Sequence, residues 1–261
     1  MQEKIDWSQV MEFIAREDAA AAASCVGVSP GDIAAVQSRY GITLPSNYVE
    51  FLRMMGQSSG GLHVFGATYD HAFSSLLARR PSTDYPTARF FKVAFETNRL
   101  AVSFEDLYLD LTRADGSDAP LVRFEIPLEP DDEVEDEFLT LSEKVIRELF
   151  WDLVMVRTKY AGTVLVFGDD ASVGPSVKQA ATTLLAGLGF SPSLPEVPRI
   201  ACLRRGRMSV LIEVSEELEL VGFRLGGDQH DEVQAAAQAL LDGVPGAEMN
   251  KPPAARAELQ A

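Results

Sequence analysis

Ser29-Pro-Gly-Asp-Ile-Ala-Ala-Val-Gln-Ser-Arg-Tyr-Gly-Ile-Thr-Leu-Pro-Ser-Asn-Tyr-Val-Glu-Phe-Leu-Arg-Met-Met-Gly56 decides how the first half of this chain folds. It reads as two short amphipathic helices joined by a Gly-x-x-Leu-Pro corner. Ser29 is placed to cap the first helix, with Pro30 in its first turn and Asp32 completing a capping box with the shorter acid. Gly41 ends that helix from the left-handed conformation that glycine adopts without strain. Ile33, Val36 and Tyr40 recur at helical spacing, as do Tyr48, Phe51, Leu52 and Met55 after Pro45, so each helix offers one apolar stripe to a shared core.

Upstream, residues 7–23 read as an N-terminal helix with Val10, Phe13 and Ile14 turned inward and an alanine-rich end. Downstream, an irregular stretch over residues 60–85 precedes strands at 90–95, 106–112 and 121–126, with Asp115-Gly116 supplying a hairpin turn. A helix over residues 142–157 then aligns Val145, Ile146, Leu149, Phe150, Leu153 and Val156. Beyond Lys159 the pattern restarts as strand, helix, three strands, helix. The helices fall at 175–188 and 231–241, and the three strands at 199–203, 208–214 and 218–225. The expected class is α+β: residues 1–157 form one domain with an antiparallel sheet and helices, and 158–250 form a smaller unit of three or four strands and two helices. Residues 251–261, which carry no core pattern, are expected to be a disordered tail.

Residues 29–156 resemble the SUKH (Smi1/Knr4-like) superfamily. The resemblance is carried by Gly41, Ile42, Leu44, Pro45, Tyr48, Phe51 and Leu52, in the order helix, Gly, short gap, Leu-Pro, Tyr, Phe-Leu. Leu107-Tyr-Leu-Asp-Leu111, the turn Ala114-Asp115-Gly116 and Pro120-Leu-Val-Arg-Phe124 look like the family's hairpin, and residues 138–154 like its last helix. The chain departs from the family at Met55-Gly56-Gln57-Ser58-Ser59-Gly60-Gly61, where an Asn-Gly-Gly-like turn is usual, and at Val102-Ser103-Phe104-Glu105-Asp106. The resemblance implies a non-enzymatic bacterial immunity protein that binds a cognate secreted toxin and covers its active surface. The alternative it leaves open is an intracellular adaptor for a signalling or envelope-synthesis partner. The motif residues themselves are core residues.

Composition sets the class of partner. The 261 residues carry a formal charge of −16, and residues 1–157 hold 14 Lys or Arg against 26 Asp or Glu, a net of −12. Such a field repels phosphate backbones, so no direct nucleic-acid binding is expected; it attracts a basic protein, such as a nuclease toxin with a cationic cleft, or serves solubility alone. The chain has no apolar run of membrane-spanning length, and Met-Gln-Glu-Lys-Ile-Asp-Trp has no signal-peptide pattern, so the expectation is a cytoplasmic protein without membrane contact. Cys25 and Cys202, far apart, suggest inert thiols.

The densest acidic run is Glu129-Pro-Asp-Asp-Glu-Val-Glu-Asp-Glu137, in which seven of nine residues are acidic. With Pro130 opposing a helix it reads as a solvated loop, either a hydrated connector or the patch that meets a basic partner through Asp131, Asp132, Glu133, Glu135, Asp136 and Glu137. Catalytic signatures are lacking. His63, His71 and His230 are scattered, and Gly56 to Gly61 has the outer spacing of a phosphate loop, but Leu62 and His63 stand where Lys and Ser/Thr must be. His63 and His71 flanking a cleft with Asp70 is the remaining acid–base arrangement, set against simple surface placement, and Asp169-Asp170 reads as a turn. The expectation is no enzyme, no cofactor and no metal. Arg204-Arg205-Gly206-Arg207 marks a basic hairpin tip, either solvated or docking an anion or the acidic unit.

Overall fold

A computed structural model describes residues 4–71, 73–74, 81–97, 106–129, 132–168, 173–215 and 217–256. The protein is mixed α+β and divides into two compact units, residues 1–148 and 149–261. The division falls inside one helix.

The first unit opens with α1 (Trp7–Glu17) and α2 (Ala19–Ser24) where one helix is expected. Asp18 breaks the run: it leaves helical geometry, and its carboxylate accepts from the Ala21 amide as the cap of α2. Strand β1 (Cys25–Val26) follows, then α3 (Pro30–Tyr40) and α4 (Ser46–Met55). Both ends of α3 are as the sequence predicts: Ser29 Oγ accepts from the Asp32 amide and donates to the Asp32 carboxylate, and Gly41 ends the helix at φ 66°.

Helix α4 begins at Pro45, which provides no side-chain cap. The tip of a hairpin supplies what Pro45 cannot. The Ser46 and Asn47 amides donate to the carbonyls of Gly116 (3.2 Å) and Ser117 (2.9 Å), and the buried Asn47 Oδ1 accepts from the Ile5 amide at 3.2 Å. Asp115 shapes that tip, its Oδ1 accepting from the Ser117 and Asp118 amides. Leu44, Tyr48, Phe51, Leu52 and Met55 are buried, and Phe51 is the hub, with ring centroids 5.8 Å from Trp7, 6.0 Å from Tyr48 and 5.6 Å from Phe65.

After α4 the chain forms β2 (Ser58–Ser59), paired with β1, and turns at Gly60 and Gly61, both left-handed. A Cβ on Gly60 would lie 2.1 Å from the Ala21 carbonyl, so glycine is required there by contact as well as by φ. Among the described residues the main sheet has five antiparallel strands in the order β3 (Tyr69–Asp70), β4 (Phe90–Glu96), β5 (Leu107–Asp110), β6 (Pro120–Arg123) and β7 (Glu135–Thr140). Strand β5 is shorter than expected because a 3-10 turn over Leu111–Arg113 follows it, and β6 ends at Arg123, short of the expected residue 126.

Strand β7 is the main correction in this unit: the second half of the acidic run is not loop but a strand, the edge of the sheet among the described residues, paired through Asp136 to Val122 and through Glu135 to Arg123. It runs straight into α5 (Leu141–Leu153), which starts one residue earlier than expected because Thr140 and Glu143 form a capping box. The helix also stops early. Val154 leaves helical geometry, a 3-10 turn follows over Met155–Arg157, and Val156 is exposed rather than on the buried face.

The second unit contains β8 (Tyr160–Phe167), α6 (Val173–Gly187), β9 (Ser191–Pro192), β10 (Ile200–Arg205), β11 (Met208–Ser215), β12 (Leu220–Gly227), α7 (His230–Gly243) and β13 (Ala247–Ala255). Its antiparallel sheet has the order β13-β8-β12-β11-β10-β9. Four of these strands and both helices match the expected pattern. The additions are β9 and β13, and β13 takes up Lys251 to Ala255, which were expected to lie in a disordered tail. Its two prolines hid it, and they are tolerated because β13 is an edge strand. Val164, Val210, Phe223, Val233, Ala237 and Leu240 are at the centre of the core between the sheet and the two helices.

Asn47 joins three parts of the first unit, so Asn47→Ala strands a buried amide. A loss of about 1–3 kcal/mol of stability is expected, read as a lower urea midpoint at constant slope.

Candidate interaction surface

The residues with chemical potential lie apart. His71 is buried between Phe51 and Phe65, 5.6 Å from each ring, with Nε2 3.4 Å from the Met55 carbonyl, to which it donates, whereas His63 and Asp70 are exposed. His230 belongs to the second unit and donates from Nε2 to the Pro253 carbonyl at 3.1 Å. Among the described residues no three His, Cys, Asp or Glu side chains converge to hold a metal ion, and no helix is long and apolar enough to cross a membrane. Burial pushes the Cys25 thiol up, and pushes Cys202 up further with Glu213 beside it. Neither thiol has the electropositive setting of a reactive one. Asp169 and Asp170 lie outside the described residues.

The basic hairpin tip is occupied within its own unit. Arg205 donates to the Leu188 carbonyl just past the end of α6 at 3.0 Å and stacks on Phe190, and Arg207 pairs with Asp228 at 2.6 Å.

The acidic run divides into two electrostatic classes. On β7, each acid is matched by a cation: Asp136 receives both terminal nitrogens of Arg113, Glu135 lies 3.7 Å from Arg123, and Glu137 lies 2.7 Å from Arg123 and 3.3 Å from Lys144. Arg113 itself reaches back to the fully buried Asp110 at 3.0 Å, where Arg89 also binds at 3.1 Å. Burial alone would raise the Asp110 carboxyl, but hydrogen bonds from Arg89 and Thr112 and the Arg89 charge outweigh it and hold the group below the usual carboxylate range. The Asp136 carboxylate raises the Arg113 guanidinium in turn, against the opposing effect of burial. These acids hold the sheet together.

The loop before β7 is different. Glu125, Glu129, Asp132 and Glu133 are exposed, and none meets a cation among the described residues; Asp132 accepts only from the Glu129 amide, at 2.7 Å. Asp131 lies outside the described residues. The apolar side chain of Ile126, 41% exposed, belongs to the same loop. The loop is held from beneath. Leu128 and Val134 pack, with Tyr85, on a cluster of Phe90, Tyr108, Val122 and Phe124, and the Leu128 amide donates to the Asp84 carbonyl at 2.8 Å. The sequence pointed to the acids but not to Ile126 or Glu125; the signal was an apolar residue ahead of a proline within a charged run.

No protein-family model and no curated protein matches this chain. The candidate surface therefore rests on residue geometry.

Desolvation is the main influence on His71, and it lowers the imidazole from its ordinary value of 6.5, against the opposing effects of the Met55 hydrogen bond and Asp70. The folded state keeps this ring neutral while the unfolded chain takes up a proton, so its stabilising contribution is lost as pH falls below 6.5 towards the depressed folded value. Wild type is expected to lose stability relative to His71→Gln between about pH 7 and about pH 5, measured by urea unfolding across that range.

Proposed function

We propose that this chain is a bacterial immunity protein that binds and neutralises a cognate secreted toxin, and that the loop between β6 and β7 meets a basic surface of that toxin. The observation that carries the reading is the separation of acids into strand residues neutralised by Arg113, Arg123 and Lys144 and loop residues that meet no cation among the described residues, around the exposed Ile126. The residues of the SUKH-like motif support it as well: Leu44, Tyr48, Phe51 and Leu52 are buried, and the hairpin in that resemblance carries the carbonyls that cap α4.

An acidic rim around an apolar centre fits an inhibitor. The rim accelerates encounter with a cationic cleft, while the apolar contact and whatever packs on it set the lifetime of the complex. The first test is co-expression with the toxic domain encoded beside this gene. Rescue of growth with co-purification of the two chains is the expected result. Death of the cells despite folded protein would favour the adaptor reading.

The surface has its own test. Reversing Glu125, Glu129, Asp132 and Glu133 to lysine together should slow association with the toxin by about tenfold or more at low salt, with the unfolding midpoint unchanged. Reversing Glu135, Asp136 and Glu137 should instead lower stability, because Arg113, Arg123 and Lys144 lose their partners on β7 and meet like charges there. Equal association rates for wild type and the loop variant, in stopped-flow at low ionic strength, would remove the loop from the interface.

A further inference from the structure

Strands β12, β8 and β13 are adjacent in the sheet of the second unit, and their register sets Arg224 opposite Thr163 and Thr163 opposite Lys251. Although the pairing of β13 is interrupted on either side of Lys251, one row across three strands reads Arg, Thr, Lys. With neighbouring strands about 4.8 Å apart, the two cations start roughly 10 Å from each other, with a hydroxyl between them. Their side chains are long enough to converge above Thr163.

The arginine of this row is held before any ligand arrives. Its Nε donates to Glu213, and its guanidinium carbon stands 5.4 Å from the centre of the Trp151 ring. That ring is fixed in turn by Arg256, 5.8 Å from its centre, which donates to the carbonyls of Met155 and Thr158. Glu213 and Trp151 thus set the plane of Arg224 and, among the described residues, leave both terminal nitrogens without a partner. The Thr163 hydroxyl and the exposed Lys251 ammonium have no partner among the described residues either. Glu213 offsets one of the two positive charges, and Glu248 is exposed one row away, opposite Leu165. The row itself holds two cations and no acid, in a unit that is acidic overall.

We infer that Arg224, Thr163 and Lys251 form a binding site for the phosphate group of a small molecule. A pre-oriented guanidinium edge grips two phosphate oxygens, the hydroxyl donates from below, and the ammonium closes the site as a point charge. The acidity of the chain works against a polyanion but not against a single phosphate drawn into a local field.

The test uses the full chain and inorganic phosphate, titrated against chloride at matched ionic strength, with the amide resonances of residues 163, 224 and 251 as the readout. Saturable shifts at millimolar phosphate, absent with chloride, are expected. Lys251→Gln, an exposed substitution, should weaken binding about tenfold with the unfolding midpoint unchanged, and Arg224→Lys should do likewise because the charge remains but the fork is lost. A nucleoside monophosphate binding at least as tightly as inorganic phosphate would show that an ester is accepted. Shifts that chloride reproduces, or an affinity that neither variant alters, would overturn the site.

Discussion

Four amide groups at the start of any helix lack partners inside it, and at α4 the sequence places a proline where a capping side chain would normally stand. The carbonyls of Gly116 and Ser117 take that role, from a hairpin some seventy residues further along the chain. The helix that carries Tyr48, Phe51 and Leu52 is therefore set by the sheet and not by its own ends. Asn47 adds the N-terminal segment through Ile5. Phe51, packed against Trp7, Tyr48, Phe65 and His71, can serve as the centre of one core because these hydrogen bonds fix the angle at which its helix enters.

A second constraint acts through charge. Asp110 is fully buried and would be costly alone, but two arginines reach it, and one of them, Arg113, continues to Asp136 on the edge strand. Acid, arginine and acid thus bridge β5 to β7 across the intervening β6. Neutralising the strand acids has a further effect. An edge strand exposes unpaired backbone groups, and a row of held charges along β7 opposes adventitious pairing there.

How much of this was legible in the sequence varied with the kind of signal. Ser29, Asp32 and Gly41 act through contacts within a few residues, so the ends of α3 were readable directly. Asp18 splitting the first helix and Thr140 with Glu143 starting α5 are equally local, yet they were obscured, the first by an alanine run that favours helix throughout, the second by the acidic residues before it. Strand β13 was unreadable because two prolines and two irregularities in its pairing erase the alternation that marks a strand. The division of the acids into paired and unpaired could not be read at all, since Arg113, Arg123 and Lys144 are distant in sequence from the acids they neutralise or are brought to them only by the register of the sheet.

That division bears on how an acidic protein can choose a partner. At physiological salt the field of an exposed charge decays within about 8 Å, so the net charge of the whole chain attracts cations broadly and distinguishes little among them. Selection has to come from the few acids that reach a partner closely and unpaired. Among the described residues, Glu125, Glu129, Asp132 and Glu133 meet this condition on a loop whose Leu128 and Val134 are seated in an aromatic cluster, which lowers the ordering cost of binding. A basic surface that matched their spacing and offered Ile126 an apolar contact would be preferred over one of equal charge that did not. The acids of β7, tied up in the sheet, would influence the complex mainly through the stability of the platform that presents the loop.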